Sequence, residues 1–173
     1  KKDNLSKLVN IESEYRTNTV YNAEVYILDN KVVAETTMSY TVHYLSKDRP
    51  NIEMRFDQKS SSVEYIKIIN PENSNDFEQI DLSKGNFAES KAHGTGLMYH
   101  KSCKIPKKFK KYKTLKIEKK FKFIGDDHWI NYGIILEHIT EGINFNLTLS
   151  SDLSIKETTI FENANLYSKL ATD

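Results

Sequence analysis

The stretch Lys113-Thr114-Leu115-Lys116-Ile117-Glu118-Lys119-Lys120-Phe121-Lys122-Phe123 decides the fold class. Leu115, Ile117, Phe121 and Phe123 fall on one side of a period-two pattern, and Lys116, Glu118, Lys120 and Lys122 fall on the other. Successive side chains point to opposite faces of a strand, so this segment reads as a β-strand with one face in a core and one in water. Gly125-Asp126-Asp127 then turns the chain. Beyond it, residues 129–138 read as a strand with the apolar middle Ile134-Ile135-Leu136, and Thr140-Glu141-Gly142 reads as a tight turn. Ile143, Phe145, Leu147 and Leu149 alternate, a last strand is expected around 153–161, and the tail 163–170 reads as a short helix.

Working toward the N-terminus, residues 97–100 form a short expected strand after the turn Gly94-Thr95-Gly96. Residues 77–82 form another, and Asn70-Pro71-Glu72-Asn73-Ser74-Asn75-Asp76 reads as a loop. Val63, Tyr65 and Lys67 alternate, as do Ile52, Met54 and Phe56. Residues 20–28 and 32–45 read as long strands joined at Asp29-Asn30-Lys31. Leu5, Leu8, Val9, Glu12 and Tyr15 switch to helical spacing. The whole is an all-β chain: an antiparallel meander barrel or β-sandwich of about eight to ten strands with a short N-terminal helix. It is expected as a single β-rich domain over 1–173, with an amphipathic helix at 1–16, the barrel or sandwich at 17–162 and a short tail at 163–173.

Composition agrees. Ten Tyr and eight Phe against one Trp favour strands over helices. A single cysteine, Cys103, excludes an internal disulfide framework and fits a reducing, cytoplasmic setting. No run approaches the ~20 apolar residues of a membrane-spanning helix. The abrupt ends also suit a domain excised from a longer or membrane-anchored protein.

The net charge of +1 hides a polar distribution. Residues 101–122 hold eleven Lys and one acid, whereas residues 123–173 hold two Lys and eight acids. Lys101, Lys104, Lys107, Lys108, Lys110, Lys111 and Lys113 crowd the approach to the quoted strand, with Phe109 and Tyr112 interleaved. Such a cluster suits phosphates, nucleic acid or anionic lipid, and nearby aromatics suit stacking. The plainer reading is a solvated strand face whose lysines keep sheets from pairing edge to edge.

Other chemistry is thinly represented. His100-x-x-Cys103 lacks a second ligand pair, so no metal is expected, and no cofactor motif occurs. Asp126-Asp127-His128 beside Trp129 suits turn formation better than acid–base catalysis. Asn146-Leu147-Thr148 matches a glycosylation acceptor but lies in an expected strand.

The expectation is a non-enzymatic β-rich binding or sensor domain for an anionic ligand, such as a nucleotide or phosphorylated small molecule. Its ligand-binding set is Lys104, Lys107, Lys108, Lys110, Lys111 and Lys113, with Tyr112, Tyr99 or Trp129 as stacking groups. The alternative is an interaction or assembly domain whose basic segment meets an acidic protein surface, including that of a second copy.

Overall fold

A computed structural model describes residues 14–47, 51–56, 62–82, 88–91, 97–125, 127–130, 132, 138–162 and 168–171, with backbone alone at 55–56, 88–91, 97–99, 159–162 and 168–171. Its strands are β1 (Glu14–Leu28), β2 (Lys31–Tyr44), β3 (Ile52–Phe56), β4 (Ser62–Asn70), β5 (Asn73–Asp81) and β6 (Ala88–Lys91). They continue as β7 (Leu97–Cys103), β8 (Thr114–Ile124), β9 (Thr140–Leu149), β10 (Thr159–Glu162) and β11 (Ser168–Ala171). A 3-10 turn, Lys107–Phe109, precedes β8.

The strand quoted above is central. β8 lies between β4 and β2 in a six-stranded sheet of order β5-β4-β8-β2-β1-β9. β1 and β2 form a hairpin in register from Leu28↔Lys31 to Glu14↔Tyr44. Asp29 (φ 50°) and Asn30 (φ 65°) both take left-handed conformations, the pair that a two-residue hairpin turn matched to strand twist requires. β9 is the exception to antiparallel order, because it runs parallel to β1.

Period-two alternation turns one face of this sheet inward. Tyr40 and Val42 of β2, Ile66 and Ile68 of β4, and Leu115, Ile117 and Phe121 of β8 are buried there. A three-stranded sheet of order β3-β7-β6 contributes Ile52, Met54 and Cys103 to the same core. The result is sandwich-like packing of two sheets. Val25, Val32 and Ala34 form a smaller cluster with Phe123, Ile130, Tyr132, Leu149 and Leu153.

Several expectations are corrected. The strand order is not a meander, the sheet is mixed, and no closed barrel forms among the described residues. The helix expected over 1–16 lies outside the described residues except at Glu14, Tyr15 and Arg16, which are strand. The expected loop at 70–76 contracts to a turn at Pro71 and Glu72, and Asn73 already starts β5. Asparagine side chains brace this turn: the amides of Glu72 and Asn75 donate to Oδ1 of Asn70 and Asn73. Polar residues are tolerated in β5 because it is a solvated edge strand. In the expected strand at 129–138, the described Trp129, Ile130, Tyr132 and His138 are not in strand. Ser168–Ala171 of the expected helical tail is a strand paired with β10.

Cys103 faces the core, and its burial pushes the thiol pKa up to about 11. A thiolate is the reacting species, so folded protein is expected to resist a thiol reagent near neutral pH and to react once unfolded. Labelling followed across a urea titration should track the unfolding curve; stoichiometric labelling in buffer alone would contradict the burial.

Candidate functional site

The basic segment between β7 and β8 is held by its apolar residues. Ile105 and Phe109 are buried in the main core at 4% and 0% exposure. Pro106 sets the entry to the 3-10 turn with an extended ψ of 147°. The amides of Phe109, Lys110 and Tyr112 donate to the carbonyls of Pro106, Lys107 and Phe109, and the Tyr44 amide donates to Lys113 O at 2.8 Å. With backbone and anchors fixed inward, the lysine side chains project from the surface of the loop.

Lys104, Lys107, Lys108, Lys110, Lys111 and Lys113 are all exposed. Lys108 lies across β5: its Nζ is 3.7 Å from both Asp76 and Glu78 and donates to Phe77 O at 3.3 Å. The other five form no ion pair among the described residues. Tyr112 is half-buried against the core, and the Lys111 ammonium lies 4.9 Å from its ring centroid. It therefore shapes the loop more than it offers a free stacking face.

Of the two remaining expected site residues, Trp129 lies away from the loop. Trp129 is exposed, but it follows the far end of β8, where Gly125 N donates to Val32 O. The loop lies at the Tyr44 end of β2 and Trp129 near the Val32 end, about 40 Å apart along the strand at ~3.3 Å per residue. Tyr99 has its backbone on β7 opposite Phe56, and its side chain is outside the described residues.

Two lysines of the outer stripe of β8, Lys120 and Lys122, are paired within the sheet, while Lys116 is exposed. Lys120 Nζ lies 2.7 Å from Glu35 and 3.1 Å from Glu64, and Lys122 Nζ lies 3.3 Å from Glu35. Tyr26 donates to Glu35, and Tyr65 donates to Glu118. The hydrogen bond from Lys120 holds the Glu35 carboxyl below its ordinary pKa, and reciprocally Glu35 and Glu64 hold the Lys120 ammonium above its own. An open polar hollow of about 450 Å³ beside this network is lined by Asn22, Glu35, Thr37, Lys120 and Asn146. It lies on the outer face, away from the loop.

Two basic residues have a different role, hidden by the charge count. Lys119 falls on the inner face and is 3% exposed, donating from Nζ to Glu53 O at 2.7 Å. Lys101 is also buried and donates to Leu82 O. The signal for Lys119 was present, since strict alternation sets it between Ile117 and Phe121. For Lys101 the alternation with Cys103 was the corresponding clue.

Other candidate chemistry stays dispersed. No group of three metal-ligating side chains occurs among the described residues. His100 and Cys103 are three apart on β7 and so point to opposite faces. His43 stacks on Tyr15 at 4.5 Å and contacts Thr17 and Thr114. Asp127 and His128 are exposed, while Asp126 and His93 lie outside the described residues. Asn146 lies on β9 and donates to Asn22 at 2.8 Å.

Comparison with protein-family models, curated proteins and solved structures finds no match.

Two outcomes test this description. Phe109→Ala removes the loop's anchor from a fully buried position and should destabilise the protein by about 3–5 kcal/mol in urea unfolding. Glu35→Gln should cost up to about 1 kcal/mol at neutral pH, since its partners are partly solvated. A carboxyl with a depressed folded pKa stabilises above the unfolded value and loses that contribution as pH falls through the folded one. The difference between wild type and Glu35→Gln should therefore shrink below about pH 4; a difference that persists at lower pH would rule out the ion pairs as its origin.

Proposed function

We propose that this chain is a non-enzymatic β-rich binding domain that recognises an anionic ligand, a nucleotide or other phosphorylated molecule, through the loop at 104–113. One observation carries the reading: five exposed lysines, Lys104, Lys107, Lys110, Lys111 and Lys113, form no ion pair among the described residues, while the backbone beneath them is fixed by buried Ile105 and Phe109. The outer strand face has the same residue type but spends Lys120 and Lys122 on internal glutamates. The loop therefore retains a positive field for an external anion. Lysine ammonium groups act as compact point charges rather than planar forks, which suits phosphate oxygens presented in varied geometry. The hollow beside Lys120 and a second one beside Tyr26 and Ser150 lie elsewhere, so the ligand meets the loop from outside. Affinity of this kind depends strongly on salt.

Thermal melting with pyrophosphate, ADP and ATP tests the proposal. A ligand at about 100 times its Kd adds ~2.7 kcal/mol, or a rise of roughly 5–10 °C for a chain of this size. The rise should fade in high salt and vanish in the triple variant Lys107→Ser, Lys110→Ser, Lys111→Ser, whose own melting temperature should match wild type. A flat response to every anion, or a rise that survives in the triple variant, overturns the assignment.

A further inference from the structure

The two edges of the six-stranded sheet are guarded unequally. At β5, Asp76, Glu78 and Asp81 line the edge strand, and Lys108 reaches over it to Phe77 O. Charges and a covered carbonyl of this kind stop strands of other molecules from adding. At β9, the other edge among the described residues, Glu141 is the only charged residue in the strand. Every residue from Glu141 to Thr148 is exposed. Ile143, Phe145 and Leu147 expose 43%, 45% and 36% of their surface in one row. That row lies on the inner side of the sheet, since Phe145 is in register with buried Tyr21, contacts its ring at 6.4 Å and stacks on Tyr132 at 6.0 Å.

The backbone at this edge points the same way. Ser150 N donates to Val25 O, so alternation turns Thr148, Asn146 and Asn144 toward β1. The N–H and C=O groups of Ile143, Phe145 and Leu147 therefore face away from β1, at the free edge. Gly142, at φ 74° beside the Asn18 irregularity, marks where the alternation shifts.

We propose that β9 pairs with β9 of a second copy of this chain, antiparallel and centred on Phe145, independently of the loop's ligand. The sequence of β9 is self-complementary in that register. Phe145 meets Phe145 of the second copy, and Ile143 meets Leu147, with all six side chains on one face. On the other face Asn144 meets Asn146. Glu141 falls opposite Leu149, so no like charges meet. Each outward-facing residue lies in a pair that exchanges two backbone hydrogen bonds, giving roughly six across the two-fold axis. The inner layer of the sheet continues through the junction, as an isologous interface requires.

Light scattering of the intact chain after size exclusion, from micromolar to near-millimolar protein, tests this. The expected mass approaches twice the 20.1 kDa of one chain as concentration rises. Phe145→Pro removes an outward N–H without touching the β1 ladder and should hold the mass at one chain. Phe145→Lys keeps the backbone and should do the same by placing two charges together. In wild type, hydrogen exchange at the amides of Ile143, Phe145 and Leu147 should slow as concentration rises, which reads the pairing without any substitution. A single-chain mass at every concentration, an oligomer unchanged by both variants, or exchange at these amides that ignores concentration overturns the proposal. An edge that accepts only a strand of a different protein would give the first of these outcomes.

Discussion

A buried ammonium sets how the two sheets meet. Lys119 projects from β8 into the core, and its Nζ donates to the carbonyl of Glu53 on β3. A charge removed from water must keep its hydrogen bonds, so β3 cannot slide along β8 without stranding this donor. Tyr40 lies beside it: the Lys119 ammonium is 5.4 Å from the ring centroid and the Arg16 guanidinium 4.4 Å. Burial pushes the Tyr40 phenol above its ordinary pKa, while Arg16 pulls the other way. The hydrophobic contacts around Ile117 and Phe121 supply most of the stabilisation, since apolar burial scales with area and has no direction. The polar contact supplies register.

The same alternation divides the basic segment into three environments. Odd positions put Lys119 and Lys101 inside, where they bind carbonyls. Even positions on β8 put Lys120 and Lys122 among glutamates on the outer face. Where the strand pattern stops, in the loop at 104–113, five exposed lysines form no ion pair among the described residues. A segment with a local net of +10 thus presents about half that charge to solvent at the loop.

Much of the fold was legible because periodicity reports burial. Lys113–Phe123 read as a half-buried strand and is one, at the centre of the large sheet; the Asp29-Asn30 turn read correctly from its residues. Strand order was not legible, because pairing partners depend on contacts distant in sequence that no local pattern encodes. The parallel β1–β9 pair is the clearest case: nothing within Ile143–Leu149 distinguishes a parallel neighbour from an antiparallel one. Asn73–Asp76 misread as loop because polar composition marks both loops and solvated edge strands. The site was legible as a charge cluster but not as a geometry. Trp129 and the loop share the segment around β8, yet that strand separates them by its full length.

Sheet order links the loop to the free edge. The loop joins β8 and lies against β5, while β9 closes the opposite side. Joined at β9, two copies would carry their basic loops on the outer flanks, roughly 30–50 Å apart across the strands at ~4.8 Å per interval and, because the copies run antiparallel, at opposite strand ends. An extended polyanion could then engage both loops at once, and the second contact would form at the effective concentration set by the first. A small phosphorylated ligand would gain nothing from the pairing. The guarded β5 edge would keep such an assembly at two copies, because the charges of Asp76, Glu78 and Lys108 disfavour the addition of a further strand.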